Sequence, residues 1–213
     1  MEPVLGQKPP NNRVERAVQE LEPIVESNTR QRPETELIRK AVAGDMSAYT
    51  RLVSDNRERV LRAAYGVLGS AEEAEDAAQD VFVKAWKKLD TYTGEASFSS
   101  WLYRITINTS IDVLRKRREQ VALDHQIAEK TYGPEDRMLQ SDTQRQIRQA
   151  VDALPDGSRS VIILREYEQL SYKEIAEILE IPIGTVMSRL NYARRRLRER
   201  LTAQGITPVE SAS

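Results

Sequence analysis

The stretch from Leu170 to Arg200, LSYKEIAEILEIPIGTVMSRLNYARRRLRER, constrains this chain more than any other. It reads as two short helices around a tight turn, the second running into arginines. Ser171 is placed to cap the first helix, with Glu174 three residues on as the partner in a capping box. Ile175, Ala176 and Leu179 face inward, and the small Ala176 permits a close helix crossing. Glu180-Ile181-Pro182 forms the turn; Glu180 is strained if it adopts the left-handed conformation. Pro182 cannot continue the first helix and suits the start of the second. Val186 and Leu190 then pack inward. This is the pattern of a helix-turn-helix whose second helix enters a DNA major groove.

In that reading Gly184 and Thr185 lie in the first turn of the second helix, where backbone N–H groups can hold a phosphate. Met187, Ser188, Arg189, Asn191 and Tyr192 lie on or near the exposed face. Arg189 can pair bidentately with guanine, and Ser188 and Asn191 can bond bases or phosphates. Arg194, Arg195, Arg196 and Arg198 suit backbone phosphates.

A net charge of −1 looks wrong for a DNA binder until it is mapped. Ser70 to Asp80 holds five acids and no base, whereas Met187 to Arg200 holds six arginines and one acid. Trp101 to Arg118 holds five bases and one acid. Segregated charge suggests separate partners for separate faces. With no cysteine and a single histidine, His125, thiolate metal sites and a histidine cluster are excluded. No phosphate loop or nucleophile–base pair stands out, so no catalytic residue, metal or cofactor is assigned. No apolar run is long enough for a membrane span, and the N-terminus lacks a signal-peptide core. A soluble cytoplasmic protein is the expectation.

The 213 residues divide into an all-α chain of two small helical domains on a flexible linker. Residues 1–35, with five prolines among Asn, Gln and Glu, are expected to be a mobile arm. Residues 36–118 predict a four-helix bundle. Its helices start near Thr35, Met46 and Ala71 and at Phe98. The second stops at Gly69, and Ser70 with Glu73 makes a capping box for the third. The third helix buries Ala74, Ala78, Val81, Phe82, Ala85, Trp86 and Leu89, leaving an acidic face. Residues 119–134 predict a linker, and 135–201 the helix-turn-helix domain. There Met138, Leu139, Ile147, Val151 and Leu154 lie on a helix that stops at Pro155-Asp156-Gly157, and the next helix begins near Arg159. Residues 202–213 are a polar tail.

The chain has only eight tyrosines, two tryptophans and two phenylalanines, yet Tyr92, Phe98, Trp101 and Tyr103 cluster at the loop before the fourth helix. Phe98 and Trp101 suit the core, whereas Tyr92 on the loop suits stacking on an unpaired base, at ~1–3 kcal/mol per contact. Opening roughly ten base pairs costs on the order of 14 kcal/mol, at ~1.4 per step. A few aromatics cannot supply that, so strand opening would need a larger partner docked on the acidic third helix.

Three stretches in this order, EDAAQDVFVKAW (75–86), SFSSWLYRITINTSIDVLRK (97–116) and LSYKEIAEILEIPIGTVMSRLNYARRRLRE (170–199), resemble the sigma factors of bacterial RNA polymerase. The chain is most similar to their compact extracytoplasmic-function (ECF, group 4) members in the sigma-70 family. The resemblance implies a promoter-specificity subunit that binds core polymerase and promoter DNA, in a stress or envelope response. It implies that residues 36–118 recognise the −10 element and residues 135–201 the −35 element. Asp76, Gln79, Asp80 and Phe82 match the helix that meets the β′ clamp helices, although Phe82 also belongs to the apolar stripe. Tyr92, Thr93, Gly94, Glu95, Ala96 and Ser97, with Ile105, Asn108, Asp112 and Arg115, match the part that captures a flipped base. The −35 domain is expected to sit on the β flap, with Met187, Ser188 and Arg189 facing the groove. Many relatives carry a basic residue where this chain has Met187, which points to apolar contact there, as with a thymine methyl. An anti-sigma factor is an expected partner, and membrane insertion is not. The competing readings are a stand-alone helix-turn-helix regulator and a sigma-like adaptor that only binds an anti-sigma factor.

Overall fold

The computed structural model describes residues 34–123 and 142–206, all helices and connections, with no strand among them. Residues up to 33, residues 124–141 (the rest of the expected linker with His125, then Met138 and Leu139 of the expected next helix) and residues from 207 on lie outside the described residues. The chain divides into two compact units, Met1–Leu52 and Val53–Ser213. In the first, residues 34–42 are helical (α1) and Gly44 turns the chain with φ +93. The Asp45 carboxylate then accepts from the N–H groups of Ser47 and Ala48, capping the next helix. Those hydrogen bonds, led by the one from the Ser47 hydroxyl, hold Asp45 below the usual carboxylate range.

That next helix, α2, spans Met46–Leu68 and passes into the second unit. It ends at Gly69, whose φ of +80 is the left-handed turn that glycine tolerates. Helix α3 is Ala71–Lys88, capped by Ser70, whose hydroxyl accepts from the Glu73 N–H at 3.3 Å. The Glu73 carboxylate, expected to return to the cap, receives Arg117 at 2.9 Å. A short 3-10 turn, Leu89–Thr91, leads through the loop to α4, Phe98–Leu123. Helix α4 thus runs on through the first residues of the expected linker. In α3, Ala77 joins the buried stripe, while Phe82 and Trp86 are only half-buried.

Helix α5 is Asp142–Asp152 and α6 is Asp156–Glu166. Pro155 stops α5 as expected, but Asp156 and Gly157 form the first turn of α6 rather than a break. Proline just before a helix pre-sets the backbone for it, as P-D-G could also do for a turn. Helices α7, Tyr172–Leu179, and α8, Ile183–Ala203, complete the chain.

The two helical domains do not stand apart. Ala63, Ala64 and Val67 of α2 and Ile107 of α4 share one buried cluster with Ile163 of α6, Ile175 of α7 and Leu190 of α8. The approach is close at Gly66, where an added Cβ would fall 2.7 Å from Ile163 Cγ2. Glycine costs about 1 kcal/mol in a helix interior, and here the cost admits the neighbouring helix.

Arg148 and Arg159 fasten this joint. The Arg148 guanidinium donates to the carbonyls of Tyr65 (3.0 Å), Gly66 (2.9 Å) and Val67 (3.4 Å), and to Asp152 Oδ1 at 2.6 Å. Arg159 donates to Val67 O at 3.1 Å and to the Asp152 and Leu154 carbonyls. These α2 carbonyls belong to the last turn, where donors from the helix itself run out and the negative end of the helix dipole lies; Tyr65 O also accepts the Gly69 N–H at 2.8 Å. Both arginines are buried, and burial holds Arg159 below the usual arginine range.

Candidate nucleic-acid interface

The helix-turn-helix follows from its caps. The Glu174 N–H donates to the Ser171 hydroxyl at 3.2 Å, and the Ser171 N–H donates to the Glu174 carboxylate at 2.8 Å, so both halves of the box form. Ile175 and Ile178 bury the inner face of α7, while Ala176 and Leu179 are half-buried. Glu180 takes the left-handed conformation, φ 53 and ψ 44, at a cost of about 1–2 kcal/mol for a residue with a Cβ. The Ile181 N–H then reaches back to Ala176 O at 3.1 Å, and Pro182 opens α8.

On α8, Val186, Leu190 and Ala193 are buried. The opposite face presents Gly184, Met187, Ser188, Asn191, Tyr192 and Arg195 together, all exposed. Gly184 borders open space, so nothing in the described residues demands glycine there. Its bare backbone suits close approach by a partner. Ser188 donates to the Thr185 carbonyl at 3.0 Å, and Arg195 lies over the Tyr192 ring at 5.8 Å.

Other residues expected on this face lie aside. Thr185 is half-buried, and its N–H already donates to Pro182 O at 2.8 Å. Arg189 is half-buried against the start of α6, where a Cβ on Gly157 would meet its guanidinium at 3.0 Å. It therefore sits beside the buried stripe rather than opposite it, at the edge of the exposed face. Arg194 pairs with Glu166 at 2.8 Å, a bond that raises its pKa, and Arg196 pairs with Glu199 at 3.1 Å.

In the loop, Tyr92 is a brace rather than a free platform. Its hydroxyl donates to Ala96 O at 2.7 Å, and its ring packs 5.6 Å from both Phe98 and Trp101. Phe98 and Trp101 are buried, as expected. Thr93, Gly94 and Glu95 are exposed at the loop tip, with Gly94 at φ +78, and Ala96 is half-buried. Exposed Ser97 accepts from the Ser100 N–H at 3.1 Å and caps α4. Ile105, Asn108, Asp112 and Arg115 follow along α4, the last three exposed. Ile105, Asn108 and Asp112 line a cleft with Lys84 and Lys88 of α3 and Arg104 of α4. Lys84 and Lys88 do not stand out in the sequence, because only the packing of α3 on α4 brings them to Arg104; their i, i+4 spacing in α3 was the available signal. Farther along α4, Arg117 and Arg118 are engaged internally, by Glu73 and by Asp156 at 2.6 Å.

On α3, Asp76, Gln79 and Asp80 form an exposed row, extended by Val83 at 52% exposure. Phe82 is not on this open row. Among the described residues, no group of His, Asp and Glu could hold a metal and no helix is long and apolar enough to cross a membrane.

Two polar contacts join α4 to the helix-turn-helix side. Arg104 Nη1 meets Glu180 Oε1 at 2.5 Å. The Tyr103 hydroxyl donates to Glu168 Oε2 at 2.5 Å, and Arg62 donates to the same carboxylate at 3.3 Å. Burial first, then the carboxylate, pushes the Tyr103 phenol above its ordinary range. A raised folded-state pKa adds stability that is complete below about pH 10, the unfolded tyrosine value, and is lost as pH rises above it. Urea unfolding between about pH 8 and 11 should therefore show a steeper loss for the native chain than for Tyr103→Phe. Equal slopes would remove this role.

The chain matches the family model for sigma-70 region 2 over residues 52–120 and that for sigma-70 region 4 over residues 144–197. It is 36% identical over 177 residues to the ECF RNA polymerase sigma factor SigW of Bacillus subtilis, a match covering 77% of this chain and 94% of that one. It is 34% identical over 176 residues to the RNA polymerase sigma-H factor of Pseudomonas aeruginosa, covering 77% and 91%. The sigma factor RpoE of Bartonella quintana, solved in complex with the anti-sigma factor NepR, superposes with a TM-score of 0.61 at 28% identity, covering 72% of this chain and 96% of that one. With both regions matched in order, and with the helix-turn-helix built as the second requires, this chain belongs to the ECF branch of the sigma-70 family of RNA polymerase sigma factors.

Proposed function

We propose that this sigma factor joins core RNA polymerase in the cytoplasm, directs it to promoters with −10 and −35 elements, and serves a stress or envelope response. In this reading residues 36–118 hold the −10 and polymerase-binding functions and residues 135–201 the −35 function. The observation that carries it is the pairing, in one chain, of an open recognition face on α8 with a separate acidic row on α3. A stand-alone regulator has no use for that row. Asp76, Gln79 and Asp80 are the polymerase contacts. Gly184, Met187, Ser188, Asn191, Tyr192 and Arg195 face the −35 groove, while Arg189 supports α8 from behind. The loop tip Thr93 to Glu95, with Ile105 and Asn108, meets the −10 strand. Anti-sigma control is proposed from the complex in which the similar Bartonella protein was solved. The chain itself makes and breaks no bond.

The test is run-off transcription with core polymerase on a genomic library. The expected result is chain-dependent transcripts from sites sharing two spaced elements. Tight duplex binding by the chain alone, with no gain from polymerase, would overturn the proposal.

Met187 is 48% exposed and its i−4 neighbour Ile183 is 50% exposed, an apolar strip at the groove. A methyl-reading contact is the chemistry that such a strip offers. Replacing thymine by uracil, one −35 position at a time, is expected to weaken holoenzyme binding about fourfold at one position, the ~0.8 kcal/mol of one buried methyl. Met187→Ala should erase that sensitivity; an equal response in both proteins would assign the strip elsewhere.

A further inference from the structure

We propose that Lys84, Lys88 and Arg104 form a cradle for the phosphates of a nucleic-acid strand, and that Glu180 of the helix-turn-helix occupies its Arg104 edge in the polymerase-free chain as an internal anion. The inference rests on the reading of α4 as the −10 strand face. The three bases line one cleft, with Ile105 and Asn108 on its wall, and Glu180 is among its lining residues. Lys84 donates to the Thr109 hydroxyl at 3.0 Å, which holds its ammonium at the cleft. The Glu180 carboxylate meets the Arg104 guanidinium at 2.5 Å, the arrangement in which arginine receives a phosphate oxygen.

The conformation of Glu180 is the second, independent observation. It is one of two non-glycine residues with positive φ among those described. The turn around it is closed by backbone bonds from its own N–H and from that of Ile181, which any residue could supply. Glycine or asparagine would sit there with less strain. The turn has no use for a carboxylate, so the strained glutamate finds its purpose across the cleft. Glu177 and Ile178 of α7 extend the cover, lining a neighbouring cleft with Thr91 to Thr93 and Trp101. The face of α8 stays open meanwhile, with Met187, Ser188 and Asn191 exposed. The polymerase-free chain thus offers its −35 face and covers the Arg104 side of its −10 face until α7 leaves α4.

The test is fluorescence anisotropy of the full chain on labelled oligo-dT of about 12 nucleotides, the scale of one strand-binding groove. Asparagine tolerates the left-handed turn without the charge, so Glu180→Asn should bind about two- to fivefold more tightly than the native chain, the effect of one exposed charge pair. Its affinity should also fall more steeply with salt. Adding Arg104→Ala to Glu180→Asn should cancel the gain, with the helical circular dichroism of all variants matching the native chain. Native affinity in Glu180→Asn, or a gain that survives Arg104→Ala, overturns the internal anion. A parallel arm with core polymerase separates this from the reading beneath it. Weaker strand binding by the Arg104→Ala holoenzyme supports the cradle. Unchanged binding there removes α4 from the −10 face and the cradle with it.

Discussion

Arg148→Ala is expected to lower the unfolding free energy by about 3–5 kcal/mol, the cost of leaving a buried charge without its partner. The residue satisfies three carbonyls at the end of α2 and the Asp152 carboxylate at once. Alanine removes the donor from Gly66 O and the close partner of the Asp152 carboxylate, while Val67 O keeps Arg159 and Tyr65 O keeps the Gly69 N–H. Arg159, whose guanidinium lies 3.9 Å from Asp152, cannot take over, because it is already committed to Val67, Asp152 and Leu154 carbonyls. Glycine at 69 leaves room for the arginine but adds no side chain to fill its absence. Urea unfolding followed by circular dichroism measures the loss. Removing the carboxylate as well, in Arg148→Ala/Asp152→Ala, should recover part of it through a coupling of about 0.5–3 kcal/mol. Strict additivity of the two losses would mean that the pair does not act as a unit. A loss below about 1 kcal/mol would mean that Arg148 adds no more to the joint than one ordinary hydrogen bond.

Asp80→Arg is expected to act in the opposite way, leaving stability alone and removing function. Asp80 is exposed on α3, and surface changes of this kind stay within about 0.5 kcal/mol. Charge reversal in a complementary interface places like charges together, at a cost of on the order of 2 kcal/mol or more. Affinity for core polymerase should fall about thirtyfold or more, by the same conversion of free energy to affinity. Pull-down or surface plasmon resonance with core polymerase measures it, and an unfolding midpoint equal to the native one controls for the fold. Native affinity would take the acidic row out of the polymerase contact. Together the two substitutions separate what holds this chain from what it recognises.

Much of the local structure was legible in the residues. Ser171 and Glu174 announced α7, Gly69 ended α2 and Ser70 began α3, because caps and stops act within a few residues of themselves. The left-handed Glu180 was foreseeable for the same reason. Where two local signals competed, the reading failed: Pro155-Asp156-Gly157 serves as a turn or a helix start, and packing of α6 chose the second. The α8 pattern placed Val186 and Leu190 inside, as found, but could not tell that Arg189 lies half-buried at the edge of the exposed face. One residue of rotation is 100° on a helix, and the neighbour α6 decides on which side of that boundary a long side chain lies.

The sequence by itself determined the all-α class, the helix-turn-helix with its caps, the separation of acidic and basic faces, and the family. Each depends on spacing along one helix or on order along the chain. Tertiary structure alone decided that the two domains share a core and that Tyr92 braces its loop. It alone set Arg148 and Arg159 on the end of α2, and Glu180 among Lys84, Lys88 and Arg104. These partners are far apart in sequence. Their pairing depends on which surfaces meet once apolar stripes are buried, and burial is a property of the assembled chain.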